Sequence, residues 1–482
     1  MKLSALISPE SVGGTDVEIA GLTLDSRAVK PGFLFAALPG LKVHGRDYIP
    51  QAVAAGAVVV LTEPGVEVDG AMVVRDGDPT RRFAEIAARF YPRQPEMIAA
   101  VTGTNGKSST VDFLRQIWRR AGLDGASLGT LGVARGEGWV ETGYTTPDAA
   151  AVHRALDALA ADGCTHLAME ASSHGLKQKR MDAVRVGLTA FTNLTQDHLD
   201  YHPDFADYFA SKLKLFLELA EPGSPAVINV DSDWGGDVAE KCTARGLEVI
   251  QVGWGGRDWR IRELTPKPAS QIVRLEIGGR SHKIELPLVG EFQVANAVGA
   301  AAMAAKSGVE QSDALAAIAE LKGVPGRLEL AARTPDGAPV LVDFAHTPDG
   351  LDKLIRAARP HTKGRIIIVF GCGGDRDPTK RQPMGEIAVK LADTVIVTDD
   401  NPRSEDPAAI RAAIMQGAAG ATEIGDRAAA IREALSGMTA DDTLLIAGKG
   451  HETGQKIGDV THPFDDREEA RKAVAEMGGG DG

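Results

Sequence analysis

The chain has 482 residues, with 53 Lys+Arg against 66 Asp+Glu and a formal net charge of −13. Hydrophobic residues make up 43% and charged residues 25%, an ordinary globular balance that excludes extensive disorder and a collagen-like fibre. The acidic surface excludes a basic nucleic-acid binder but leaves anionic small molecules as partners wherever cations are concentrated locally.

At roughly 150 residues per domain the length suggests about three domains. The longest apolar runs, such as 366–370, are too short to span a bilayer. Residues 1–8 carry one positive charge and a brief apolar stretch, too short for a secretory signal. Cys164, Cys242 and Cys372 are widely spaced and form no C-x-x-C pair, which argues against a disulfide framework and a structural zinc site. A reducing, cytoplasmic setting and a monomeric working unit are expected.

The sequence divides into three α/β blocks, at 1–95, 96–333 and 334–482. The first alternates β-like runs at 32–38 and 57–61 with a helical stretch at 49–55. It ends at Tyr91-Pro92-Arg93-Gln94-Pro95, where two prolines resist helix and sheet alike. The second block opens on the apolar strand 97–101, contains a Gly, Trp and Arg-rich stretch at 253–262 that reads as loop or edge strands, and carries an Ala-rich helix at 291–305. The third begins at the turn Thr334-Pro335-Asp336-Gly337 and repeats strand–helix units, with parallel strands expected at 340–344, 365–370, 394–398 and 443–447. The tail 478–482 is expected to fray.

The strongest chemical signal is Val101-Thr102-Gly103-Thr104-Asn105-Gly106-Lys107-Ser108-Ser109. A strand, a glycine turn and a helix in that order aim backbone N–H groups at a phosphate, with Lys107 in reach of the terminal phosphates and the Ser108 hydroxyl able to bind Mg²⁺. Val101 stands where G-x-x-x-x-G-K-[ST] has its first glycine, so the pattern is incomplete, and glycines that only permit tight turning are the bland alternative. Two polar clusters end later strands, 169–175 with Glu170 and 191–202 with His198 and His202. An acidic strand end beside a phosphate loop is a natural Mg²⁺ partner. Ser172 or Ser173 with His174 lacks a G-x-S-x-G elbow, and the i,i+4 pair His198 and His202 lacks a nearby third soft ligand for zinc. Lys212 reads by pattern alone as a lysine on an amphipathic helix, which is usually a solvated face.

In the third block, Gly371-Cys372-Gly373-Gly374-Asp375-Arg376, Asp399-Asp400-Asn401-Pro402-Arg403 and Gly448-Lys449-Gly450-His451-Glu452 each follow a strand. Open α/β sheets bind ligands outside the carboxyl ends of their strands, so the three loops point to one pocket, with Arg376 and Arg381 suited to an anion.

Together these motifs resemble the Mur ligases, ATP-dependent amide-forming enzymes of peptidoglycan synthesis. The ordered set also includes Asp25-Ser26-Arg27, Pro31-Gly32-Phe33-Leu34-Phe35, Ala295-Asn296-Ala297, Pro325-Gly326-Arg327 and Asp343-Phe344-Ala345-His346-Thr347-Pro348-Asp349, and covers nearly the whole chain. The resemblance implies an N-terminal UDP-binding domain, a central P-loop ATPase-like domain and a C-terminal Rossmann-like amino-acid domain. It implies ATP and Mg²⁺ as cofactors and Lys107, Glu170, His198 and Lys212 as the catalytic set. ATP would lie against Gly103, Thr104, Asn105, Gly106, Lys107, Ser108, Ser109, Asn296, Arg327 and Asp343. Ser108, Glu170 and His198 would surround Mg²⁺, and Lys212, as a carbamate, a second ion. Leu24, Ser26 and residues 41–43 match UDP-binding positions, while Thr145, Thr146, Ser172, Gln178 and Arg180 match positions holding the muramyl-dipeptide. Asp400-Asn401-Pro402-Arg403, with Arg376, Gly448 and Glu452, resembles the pocket of members that add meso-diaminopimelate to UDP-N-acetylmuramoyl-L-alanyl-D-glutamate. Folylpolyglutamate synthase and a nucleotide switch remain as alternatives. The first leaves the Asp25-Ser26-Arg27 block without a role, and the second leaves the third-block pocket without one.

Overall fold

Short β-branched runs flanked by Ala-rich helices build the sheets of this chain, whose computed structural model describes residues 1–7, 16–40, 43–136, 138–140 (backbone alone), 145–195 and 201–478. His198, Leu41, Lys42 and nearly all of the 478–482 tail lie outside the described residues. The chain forms two compact units, Met1–Val252 with Gly299–Gln311, and Gly253–Val298 with Ser312–Gly482.

The first unit holds a parallel sheet of Gly21–Thr23, Phe33–Ala36, Ala57–Thr62 and Met72–Arg75. The predicted helix appears as Ile49–Ala54. Helix Pro79–Phe90, capped by the Asp78 carboxylate on Arg81 N–H, buries Phe83, Ala84, Ile86 and Ala87. That face shares its core with Ala149 and Ala150 at the start of helix Ala149–Ala161, which joins the first sheet to the next. In the second sheet, Glu248–Gly253, Pro225–Asn229, Leu188–Phe191, Met97–Thr102, His166–Glu170 and Gly125–Gly129 run parallel in that order. Met97–Thr102 is therefore central, and its register sets Val101 opposite Glu170 and Thr102 opposite Phe191.

In the second unit the segment read as loop or edge strands opens an antiparallel meander, Trp259–Lys267, Ser270–Ile277 and Arg280–Leu286. The further sheet runs Glu329–Arg333, Pro339–Asp343, Thr443–Ala447, Ile366–Phe370, Thr394–Val397 and Thr422–Glu423, all parallel except the first strand. The turn at Thr334–Gly337 closes the hairpin of its two leading strands. Alternate residues of Ile366–Phe370 are buried on opposite faces. Ile366, Ile368 and Phe370 pack with helices Pro348–Ala358, Arg381–Leu391 and Pro407–Met415, and Ile367 and Val369 with Arg427–Leu435 and Asp466–Gly478. Covering both faces explains why these strands read as unbroken apolar runs. Each such side chain contributes about 1.5–3 kcal/mol on burial.

All three cysteines are free and buried, and burial pushes the Cys242 thiol up to about 12. Among the described residues no helix is long and apolar enough to cross a membrane.

Asp442 fastens the start of the Ile366–Phe370 strand. Its carboxylate accepts from Arg365 N at 2.6 Å, Arg365 Nη2 at 2.8 Å and Thr439 N at 2.9 Å. Burial opposes its ionisation, but these donors outweigh burial and hold the carboxyl well below the ordinary carboxylate range. Its stabilisation is therefore complete above the ordinary value of 3.8 and is lost as pH falls through the depressed folded-state value. Asp442→Asn should cost about 1–2 kcal/mol at neutral pH, with the gap to wild type closing in strong acid. Thermal melts of both proteins across that range check the sign.

Candidate active site

Helix Lys107–Arg120 begins one tight turn after the central strand Met97–Thr102, and Gly106 at its N-cap has φ +85°. Gly103 has φ +149°, and a Cβ there would collide with Thr192 Oγ1, so only glycine lets the backbone pass. Asn193 clamps the turn: its carbonyl accepts Thr104 N–H at 2.9 Å and its Oδ1 accepts Asn105 N–H at 3.0 Å. Lys107 Nζ curls back over the loop and donates to Gly103 O at 3.0 Å and Thr104 O at 2.8 Å. Ser108 Oγ donates to Glu170 Oε1 at 2.9 Å. Buried Glu170 also accepts Thr130 N–H at 2.8 Å, so its carboxylate is fixed beside the loop. Ser109 is buried beneath it.

Lys212 departs from the solvated-face reading. It is 2% exposed, donates to Gly103 O at 2.7 Å and lies 4.4 Å from the Tyr208 ring centroid. The Tyr208 hydroxyl is 3.0 Å from Thr104 Oγ1, so helix Phe205–Lys214 supports the phosphate loop from below. His202 precedes that helix and sits 2.6 Å from Asp207 Oδ2 by its Nδ1. His198, the other half of the pair weighed for zinc, lies outside the described residues.

A second group gathers around Glu170. Thr146 Oγ1 donates to Glu170 O at 3.0 Å and lies 3.0 Å from Ser172 Oγ, which caps helix Ser173–Lys177. Arg180 donates to Thr146 O at 2.6 Å and to Gln178 Oε1 at 2.6 and 3.0 Å, and Thr145 Oγ1 is 2.9 Å from Thr130 Oγ1. Thr146, Ser172, Gln178 and Arg180 therefore form one continuous polar cluster, which Thr145 joins through Thr130 and Glu170. Ser26 stands apart, donating to Gln51 Oε1 at 3.2 Å, and Leu24 is exposed.

In the second unit, Asn296, Arg327 and Asp343 converge from three separate segments. Gln293 bridges the first two, accepting from Asn296 Nδ2 at 3.3 Å and donating to Arg327 O at 3.2 Å. The Arg327 guanidinium lies 5.4 Å from the Phe344 ring centroid. Asp343 accepts Leu328 N–H at 2.7 Å and Ala345 N–H at 2.8 Å. Burial pushes its carboxyl above the ordinary range, against the pull of Arg327 and those two N–H groups.

The three polar loops of the Rossmann-like sheet meet as expected. Gly374 N–H donates to Asn401 O at 2.9 Å, and Arg403 Nη1 donates to Gly374 O at 2.7 Å. Gly448 has φ +118°, and a Cβ there would stand 2.6 Å from Asp400 Oδ2, so the loops touch through glycine. Asn401 Nδ2 donates to Glu452 Oε2 at 2.8 Å, and Pro402 is buried beside it. Arg376 is exposed on the first loop. Arg381, read as an anion ligand, is instead buried with its Nη2 on both Glu405 oxygens at 2.9 and 2.8 Å. Sequence reasoning missed Thr130, Asn193 and Tyr208. It also left Lys449 unused, although a lysine between two glycines at a strand end was a visible signal.

A strand, glycine loop and helix with a carboxylate on the adjoining strand define a nucleotide-binding α/β protein of the P-loop class. Three family models match in chain order: "Mur ligase family, catalytic domain" over residues 18–117, "Mur ligase middle domain" over 101–304 and "Mur ligase, glutamate ligase domain" over 326–450. The chain is 49% identical over 471 residues to the UDP-N-acetylmuramoyl-L-alanyl-D-glutamate--2,6-diaminopimelate ligase of Brucella melitensis, covering 97% of this chain and 96% of that one. A solved structure of a ligase with the same name superposes with a TM-score of 0.75 at 32% identity, covering 99% of both chains. Folylpolyglutamate synthase of Mycobacterium tuberculosis, solved with ADP, shares the fold at a TM-score of 0.60 and 18% identity, over 77% of this chain and 91% of that one. The chain belongs to the Mur ligase family.

Proposed function

We propose that this ligase joins meso-diaminopimelate to UDP-N-acetylmuramoyl-L-alanyl-D-glutamate at the expense of ATP, in peptidoglycan precursor synthesis. The observation that carries this reading is the Asp400–Arg403 loop. Its Arg403 guanidinium is anchored at Gly374 O while Asn401 and Glu452 stand hydrogen-bonded in the same pocket. A cation, an amide and a carboxylate so gathered suit a substrate that carries both carboxylate and ammonium groups.

A carboxylate is a poor electrophile until phosphate becomes its leaving group. The glutamate carboxylate of the UDP-linked substrate attacks the γ-phosphorus of ATP and ADP departs. The amine then adds to the acyl phosphate, and the tetrahedral intermediate expels phosphate to leave the amide. The protein's share is positioning and charge neutralisation. Lys107 and the N–H groups at the start of its helix hold the phosphates, and by the family pattern Asn296, Arg327 and Asp343 are nucleotide contacts as well. Thr145, Thr146, Ser172, Gln178 and Arg180 orient the muramyl-dipeptide, and Leu24 and Ser26 its UDP end.

The Ser108 hydroxyl and the Glu170 carboxylate, in contact at 2.9 Å, are hard oxygen donors that fit Mg²⁺. Magnesium takes few protein ligands beside substrate phosphates. His198 belongs to this set by the family pattern. When bound, Mg²⁺ neutralises phosphate charge. Carbamylation would turn buried Lys212 into an oxygen donor beside the same loop. We place the enzyme in the reducing cytoplasm, in keeping with its three free, buried cysteines, and as a monomer, since one chain carries all three sets of contacts.

ADP release should require both UDP-N-acetylmuramoyl-L-alanyl-D-glutamate and meso-diaminopimelate, with L-lysine a poor replacement. A coupled ADP assay that omits each substrate in turn tests this. Turnover without an amine, or dependence on a folate, would overturn it.

A further inference from the structure

Lys449 is 0% exposed, in the loop that follows strand Thr443–Ala447. Its ammonium carries three donors and spends them on Asn401 Oδ1 at 3.2 Å, Glu452 Oε2 at 3.3 Å and Gly454 O at 2.6 Å. A buried ammonium is tolerated only with such partners, and here they leave it no donor for a ligand.

The consequence falls on Asn401. Its Oδ1 also accepts Lys456 N–H at 2.8 Å. Lysine and a backbone N–H can only donate, so the amide oxygen must face them and the Nδ2 must face Glu452. Glu452 Oε2 thereby takes two donors, one of them charged. Among the described residues no protein hydrogen bond reaches Glu452 Oε1, and the second N–H of Asn401 Nδ2 is likewise uncommitted.

We propose that Lys449 is a positioning residue for the amine substrate. Without touching the ligand, it locks the Asn401 amide and the Glu452 carboxylate so that one acceptor oxygen and one N–H donor remain side by side. That pair complements the adjacent ammonium and carboxylate of an amino-acid end. With Lys449 absent, the Asn401 amide is free to flip and Glu452 loses the charge that holds its inner oxygen. This inference rests on the amine-pocket reading above.

Lys449→Met should raise the KM for meso-diaminopimelate roughly tenfold to a hundredfold, the range of one or two charge-assisted hydrogen bonds, while the KM for ATP stays within about twofold. Lys449→Gln, which keeps donors but no charge, should fall between it and wild type, and it carries the comparison if the Met variant does not fold. The double variant Lys449→Met with Asn401→Ala should be no worse than the poorer single variant, because both act through one network. Equal rises in the KM for ATP and for diaminopimelate, or strictly additive losses, overturn the positioning role. Wild-type ADP release that ignores diaminopimelate overturns the amine-pocket reading itself. Wild-type dependence on diaminopimelate with an unmoved KM in both single variants overturns the role of Lys449 alone.

Discussion

Lys107→Ala lowers kcat for ADP formation by about 10³, equivalent to about 4 kcal/mol of barrier, while the protein still folds. The Lys107 ammonium is held across the mouth of its own loop by Gly103 O at 3.0 Å and Thr104 O at 2.8 Å. Phosphoryl transfer involves little covalent chemistry for the protein, so a cation fixed where phosphate charge shifts acts without reorganising during the reaction. The fold is spared because Lys107 is only half-buried and Gly103 O keeps the bond from Lys212 Nζ at 2.7 Å once it is gone. Steady-state ADP release together with a circular-dichroism melt checks both halves. A loss below tenfold at unchanged melting temperature would remove Lys107 from the reacting phosphates.

The same loop shows what the sequence could disclose. Met97–Thr102 and Lys107–Arg120 were legible because an apolar run, two glycines and a helical period are local signals. Ile366–Phe370 was legible because a strand covered on both faces is apolar throughout. The meander from Trp259 to Leu286 was hidden, since its outward residues are charged and pair across strands, as Arg262 with Glu276 and Lys267 with Glu285. Those partners lie 14 and 18 residues apart, beyond any local period. Lys212 misled for a related reason. Its helix looks amphipathic, but its acceptor is Gly103 O, 109 residues earlier, and only the sheet register brings the two together. Arg381 shows the converse error, because a guanidinium near a glycine loop reads as an anion ligand until its own carboxylate, Glu405, appears 24 residues on.

Arg403 carries the other large effect. It has φ +52°, a left-handed conformation that disfavours any residue with a Cβ, yet its backbone is pinned there from both sides. Arg403 N–H donates to Lys456 O at 3.0 Å and Gly458 N–H donates to Arg403 O at 2.7 Å. The side chain is aimed as firmly: Nη1 donates to Gly374 O at 2.7 Å, and a Cβ on Gly373 would lie 2.7 Å from that same nitrogen. With one of five guanidinium donors so anchored, the rest can grip a carboxylate in fork geometry. Arg403→Ala should raise the KM for meso-diaminopimelate by ~10² to 10³ and leave the KM for ATP within about twofold. The preference for diaminopimelate over L-lysine, about 10⁴ in a site built around such a contact, should collapse with it. Arg403→Lys should not restore it, because a point charge cannot reproduce the fork. Arg403→Gly separates function from strain. It should bind the amine as poorly as Arg403→Ala yet be more stable by about 1 kcal/mol, since glycine tolerates positive φ and alanine does not. Steady-state kinetics with both amines, alongside melts of the Ala and Gly variants, decide the matter. Matching rises in the KM for ATP and for diaminopimelate would mean that this strained arginine shapes the fold rather than choosing the substrate.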